Sequence, residues 1–444
     1  MEQALCFFTA ETNYRDSPSP FGIKMADRLS GIPIHVDISD LPMQQGLVSN
    51  PNKFVCGPSG TGKSFFMNHL IRQYYEQGTH VFIVDMGNSY KGLCDLIHSR
   101  TRGEDGIYLT YEQGENASFN PFYTQDGQYD METRESIKMV LLTLWKCENE
   151  LPTRAEEVAL SNAVSMYLSQ IQKEKGYKPS FNGFYEFIRG DYRIVLRQKN
   201  VREKDFDVDN FLHVLEPYYK GGEFDYLLNS DRELDLLNKR FVVFELDAIR
   251  EHKILLPIVT LMLMTGFMRK IRHLKGIRKM LVLEEAWAAL MNQGMSSFVR
   301  YAYKTFRKHF AEICVVTQEL TDLLSNPIVK DSILANADTR ILLDVKKYAN
   351  RFNEIENLLG LSTKEKEQIL TINRNNCPDR KYKEVWIGLG GVYSAVYATE
   401  VSRQEYLCYT TVQTEKKEVF DLAERFNGNL ELAIRQLSEK NDDR

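Results

Sequence analysis

One octapeptide constrains this chain more than any other feature. Gly57-Pro58-Ser59-Gly60-Thr61-Gly62-Lys63-Ser64 fits the spacing G-x-x-x-x-G-K-S/T. By chance, four fixed positions of that kind arise in about one chain in a hundred of this length. The flanks narrow the reading. KFVCG (Lys53–Gly57) is a short apolar run that reads as a strand, and an amphipathic helix is expected from Lys63 to about Gln77, stopped by Gly78. Strand, glycine loop and helix are the arrangement that phosphate binding needs. Glycines let the backbone wrap an anion with its N–H groups inward, and the helix N-terminus adds about half a positive charge. Lys63 is then set to reach the β- and γ-phosphates, and the Ser64 hydroxyl to hold Mg²⁺. The expected nucleotide-binding set runs from Gly57 to Ser64 and takes in Phe65, with ATP and Mg²⁺ as the ligands. The bland alternative is a glycine-rich turn with no ligand.

A phosphate-binding loop of this kind needs a carboxylate at the end of a neighbouring strand. MLVLEEAW supplies two: Met280–Leu283 reads as the strand, Glu284 as the grip on the Mg²⁺ water shell, and Glu285 as the group that polarises the attacking water. Aspartate is the usual occupant of the first place, so Glu284 moves the carboxylate by about one C–C bond. Gln318 closes the strand EICVVTQ, where an amide can sense the γ-phosphate. Asp85, Glu245 and Asp247 also lie at strand ends, where ligands bind in parallel sheets, but carboxylates are common there.

Composition excludes several classes. Of 444 residues, 43% are hydrophobic and 26% charged, which suits a globular chain of about two to four units. The net charge of -5 provides no global basic field, so a nucleic-acid partner would need a local patch or channel. Seven cysteines, with no CxxC spacing, suggest neither a disulfide framework nor a zinc ribbon. The eight histidines show no paired metal-binding spacing. The longest apolar run, Ile254 to Met268, contains Pro257 and falls short of the ~20 residues that span a bilayer. It is expected to be a buried helix on a sheet. The N-terminus lacks the pattern of a signal peptide. The expectation is a soluble chain with reduced thiols, able to dock on a membrane complex.

Further strands are expected at Thr79–Met86, Gly106–Tyr111, Arg240–Asp247, Lys279–Trp287, Ala311–Gln318 and Thr339–Val345. Runs that are apolar throughout suit central strands covered on both faces. Residues 130–237 instead show helical periodicity, and YKEVWIGLGG with YSAVYATEV reads as an antiparallel hairpin turned at Gly390-Gly391. The expected organisation is a linker or edge segment over 1–50, an α/β core over 51–119 and 238–414 with a mostly parallel sheet, an inserted all-α subdomain over 120–237, and a C-terminal helix over 415–444.

The order GPSGTGKS, LVLEEAW, FRKHF, VVTQEL, TRILL resembles the TraG-like conjugation ATPases of type IV secretion systems. These belong to the VirB-four class within the HerA–FtsK group of P-loop motors. The resemblance runs from about Asn50 to Glu418 and includes FNPF (Phe119–Phe122). It implies a RecA-like ATPase core, a homo-oligomeric and usually hexameric ring, and a place in the cytoplasm at the inner-membrane base of a secretion channel whose components are its partners. It also implies an N-terminal domain before the core, so this chain looks like the C-terminal ATPase portion of a longer protein. Ring motors of the group put an arginine into the neighbour's site; Arg307 and Arg340 are the candidates. Two other functions stay open: a HerA- or FtsK-like motor on duplex DNA, and a weakly hydrolysing, nucleotide-switched scaffold. The basic stretch MRKIRHLKGIRK leaves a DNA contact open, against a solvated helix end.

Overall fold

The computed structural model describes residues 17–110, 120–124, 127–146, 150, 152–173, 178–229, 238–252, 255–285, 293–318, 327–374, 376 and 380–441. Eleven strands form one sheet: β1 (Ile23–Asp27), β2 (Pro33–Val36), β3 (Lys53–Cys56), β4 (His80–Asp85), β5 (Ile107–Thr110), β6 (Phe241–Glu245), β7 (Lys279–Glu284), β8 (Ala311–Thr317), β9 (Thr339–Leu342), β10 (Lys383–Leu389) and β11 (Tyr393–Thr399). Their spatial order is β2-β1-β11-β10-β9-β3-β8-β7-β4-β6-β5. From β9 to β5 every pairing is parallel. From β9 to β2 every pairing is antiparallel.

The parallel block follows from the sequence. β3, β4, β6, β7 and β8 are buried at every position, because helices cover both faces. One apolar cluster, including Phe82, Phe244, Leu281 and Ile313, lies on one side of the sheet, and a second, including Val55, Ile83, Val243 and Val282, lies on the other. The helix Leu255–His273 packs in the first cluster, through Met264 and Phe267 among others, and carries Pro257 in its first turn, where a missing N–H costs little.

Among the described residues, the chain between β5 and β6 forms helices and no strand. Met131–Trp145, Arg154–Ile171, Phe181–Phe187 and Val208–Leu215 pack around aromatic contacts such as Phe122–Phe184, at 5.2 Å between centroids, and Trp145–Phe211, at 5.1 Å. Thr153 begins the second of these helices with a capping box closed by Glu156.

Two features differ from expectation. The segment before β3 contributes β1 and β2, a hairpin that extends the sheet through Ala26 opposite Ala398 on β11. The C-terminal region is two helices, Gln413–Arg425 and Leu430–Asn441, not one. Asn427 and Gly428 break it with φ 56° and 82°, a left-handed turn that no helix continues through.

Candidate functional site

The loop 57–62 leaves β3 at the carboxyl edge of the sheet and enters the helix Lys63–Glu76. Gly57 donates its N–H to the Thr317 carbonyl at 3.1 Å, which fastens the loop to β8. A Cβ at Gly57 would lie 2.8 Å from Leu343 Cβ and 2.9 Å from Thr61 Oγ1, so only glycine fits. Gly62 precedes the helix at φ 93°, a left-handed conformation, and no side chain caps the helix there. The uncapped first-turn amides and the dipole make this end ready for an anion.

Strand β8 lies between β3 and β7, so the carboxylates at the end of β7 face the loop across one strand. Glu284 is 2% exposed and Lys63 6% exposed. Nζ of Lys63 donates to Oε1 of Glu284 at 3.0 Å and to Oε1 of Glu285 at 2.5 Å. The Ser64 hydroxyl donates to Oε1 of Glu284 at 3.4 Å. Burial alone would lower the proton affinity of Lys63; the charges of Glu284 and Glu285 outweigh it and hold the ammonium above its ordinary pKa. Glu285 extends the ladder by one bond, N–H to the Val316 carbonyl at 3.1 Å, and then turns at φ 55°.

The acidic edge is wider than the pair. Register sets Val84 beside Leu283 and Asp85 beside Glu245, so Glu245, Asp85 and Glu284 end three adjacent strands in one row. Burial first, then the charges of Glu284 and Glu245, push Asp85 well above the usual carboxylate range. Oδ2 of Asp85 takes the Ser89 N–H at 2.7 Å. Glu245 takes the Asn88 N–H at 2.7 Å, and Lys416 of the first C-terminal helix donates to the Asn88 carbonyl at 3.1 Å.

Lys63 is thus in contact with both Glu284 and Glu285, and Ser64 with Glu284. Gln318 follows Thr317, whose carbonyl binds Gly57, and so leaves β8 between the loop and the acidic pair. Arg307 is exposed, with its guanidinium on the Ser49 carbonyl. Arg340 aligns with Phe54 near the start of β9, not at its end. Its guanidinium binds the carbonyls of Leu359 and Leu334, and burial lowers its pKa. Trp287 lies outside the described residues. The basic stretch is used largely inside the chain: Arg269 binds the Pro121 carbonyl, Lys270 the Lys239 carbonyl, Lys279 the His309 carbonyl, and Arg278 pairs with Asp40. Sequence reading missed Ser89 and Tyr90, which reach Ser64 and Glu284. Their only local signal is a polar turn, GNSY, following a buried strand.

The residues fit a Mg²⁺–nucleotide. Two carboxylates close on the Lys63 ammonium, the Ser64 hydroxyl donates to one of them, and an uncapped helix start lies beside them. Sheet order and loop together define a P-loop NTPase fold of the α/β class.

Comparison with known proteins gives the family. The TraG P-loop domain matches residues 22–441, and the chain belongs to that family. It is 25% identical to protein TraC of Escherichia coli K12 over 317 residues, covering 70% of this chain and 34% of the relative. It is also 25% identical to the type IV secretion system protein CagE of Helicobacter pylori over 349 residues, covering 74% and 34%. The chain thus spans about a third of the length of these curated relatives. Among solved structures, VirB4 of Thermoanaerobacter pseudethanolicus matches with TM-score 0.62 and 20% identity, covering 88% of this chain and 99% of that one. The plasmid coupling protein TrwB, in complex with ADP and Mg²⁺, matches with TM-score 0.53 and 14% identity, covering 88% and 92%. These last two likenesses concern the fold. CagE is by its name a type IV secretion system protein. No helix among the described residues is long and apolar enough to cross a membrane.

Proposed function

We propose that this chain is the Mg-ATP-hydrolysing motor domain of a type IV secretion or conjugation system, working as one subunit of a homo-oligomeric ring against secretion-channel components at the inner membrane. The observation that carries the reading is the convergence of Lys63, Glu284 and Glu285 beside an uncapped helix N-terminus. In TrwB, a protein of like fold, ADP and Mg²⁺ are bound together.

In this reading the amides of residues 60–65 take the phosphates, and Lys63 exchanges its two carboxylate partners for them. Ser64 and Glu284 hold Mg²⁺, which when bound neutralises phosphate charge and orients the triphosphate. Once Lys63 has moved to the phosphates, Glu285 accepts the proton of the attacking water. Gln318 orients that water from the end of β8. Arg307, exposed on its own subunit, acts in trans on a neighbour's phosphates. Arg340 is spent on carbonyls within its own subunit and is given a strand-anchoring role. The helices of 120–237 form an inserted subdomain that rides on this core.

ATPase activity measured against protein concentration, with and without duplex DNA, tests the reading. Turnover per subunit that rises with concentration supports ring assembly. Strong stimulation by DNA would favour a duplex-translocating motor, for which the basic stretch, consumed within the chain, gives no support. Absence of ATPase activity at every concentration would leave only a nucleotide-switched scaffold.

A further inference from the structure

Glu284 carries one methylene more than the aspartate usual in its place, and a second residue takes up the difference. The two oxygens of its carboxylate face opposite partners. Oε1 accepts from Lys63 Nζ at 3.0 Å and from the Ser64 hydroxyl at 3.4 Å. Oε2 accepts from the hydroxyl of Tyr90. Tyr90 is fully buried and stands just before the helix Lys91–Arg100, in the loop that follows β4. The same loop holds the P-loop serine. Ser89 Oγ donates to Ser64 Oγ at 3.3 Å, and Asn68 Nδ2 donates to the carbonyls of Ser64 at 2.8 Å and Ser89 at 3.1 Å. One short loop is thus tied to both halves of the candidate Mg²⁺ site.

We propose that Tyr90 is a positioning residue for the Mg²⁺ site: its hydroxyl holds Glu284 in the rotamer that turns Oε1 toward Ser64. The proposal rests on the P-loop reading above and deepens it. A glutamate has one more rotatable bond than an aspartate, so an unanchored Glu284 spreads its carboxylate over several positions. A buried phenol that donates to the far oxygen removes that freedom and leaves the near oxygen for the metal side. A tyrosine that merely filled the core would need only its ring, and losing the hydroxyl would leave Mg²⁺ binding unchanged; that difference is measurable.

The test is equilibrium binding of a fluorescent, non-hydrolysable ATP analogue to the full chain, titrated with Mg²⁺. Wild type, Tyr90→Phe, Glu284→Asp and the double variant are compared. Tyr90→Phe keeps the ring, so Mg²⁺-free affinity should hold while the Mg²⁺ concentration at half effect rises about tenfold, the size usual for losing an outer-sphere partner. In the Glu284→Asp background, where the shorter arm withdraws from the hydroxyl, Tyr90→Phe should have no further effect. Unchanged Mg²⁺ dependence in Tyr90→Phe overturns the proposal, and so does an equal shift in both backgrounds. If Tyr90→Phe does not fold, a crystal structure of the wild-type chain with ADP and Mg²⁺ decides. The hydroxyl should remain on Glu284 after Lys63 has left, and a hydroxyl turned away overturns the proposal. Lys63→Ala keeps the two readings apart. If it binds the analogue as wild type does, the P-loop reading itself fails. If it loses binding while Tyr90→Phe keeps wild-type Mg²⁺ dependence, only the role of Tyr90 fails.

Discussion

Nζ of Lys63 lies 2.5 Å from Oε1 of Glu285, a residue whose own backbone sits at φ 55°. A non-glycine residue held left-handed costs roughly 1–2 kcal/mol. The strain turns the chain at the end of β7 and brings the carboxylate back over the glycine loop. The turn also sets the Lys63 ammonium against the carboxylates that the proposed function gives to Mg²⁺ and the attacking water.

Lys63→Ala should abolish nucleotide binding. It should also destabilise the protein without any ligand, because it leaves two carboxylates facing each other without a counter-charge. Removing one partner of a buried pair costs roughly 3 kcal/mol. Denaturant unfolding of the ligand-free variant checks this; wild-type stability would mean that the pair with Glu284 and Glu285 carries no weight.

Glu285→Gln should keep ATP binding and lower turnover by about 10²- to 10⁴-fold, the range for losing a general base. Strain gives a second, independent readout. Glu285→Ala and Glu285→Gly remove the same carboxylate, but only glycine is at ease at φ 55°. The glycine variant should be the more stable of the two by about 1 kcal/mol. Equal stability would show that the left-handed turn is not strained.

If Arg307 acts across a ring interface, mixing Arg307→Ala with Glu285→Gln should restore part of the activity that each lacks alone. A mixed ring contains some sites built from two intact halves. The readout is ATPase rate against mixing ratio, and a flat line at the single-variant level argues against a shared site.

His80 opens β4 beside Lys270, Arg240 and Lys279, with Asp105 as the facing carboxylate. Burial first, then the two neighbouring cations Lys270 and Arg240, lower its pKa to about 4. The folded value lies below the unfolded value of about 6.5, so the unfolded chain binds the proton first. The neutral histidine's contribution is complete above about pH 6.5 and is lost as pH falls toward 4. His80→Asn should flatten that acid-side fall in melting temperature, and an unchanged slope would assign it to other groups.

Much of the fold was legible because its central strands are continuous apolar runs, and five of them are buried at every residue. The glycine loop was legible because phosphate binding leaves little choice of residue along it. β1 was not, because its place depends on pairing Ala26 with Ala398, which no local pattern encodes. The break between the last two helices was missed for a nearer reason: Asn427-Gly428 is a helix-stop signal set within an otherwise periodic polar segment. Tyr90 was invisible because an aromatic residue after a buried strand reads as core. Only the arrangement of β4 beside β7 brings its hydroxyl to Glu284. The basic stretch shows the converse, since its charges look like a surface patch until Arg278 and Lys270 are seen buried on internal partners.

The most direct measurement is a crystal structure of the full chain with a non-hydrolysable ATP analogue and Mg²⁺. The account predicts the phosphates against the amides of residues 60–65, Lys63 moved from Glu285 onto them, and Ser64 and Glu284 on the metal side. Lys63 still paired with Glu285, with the analogue bound elsewhere or absent, would contradict it.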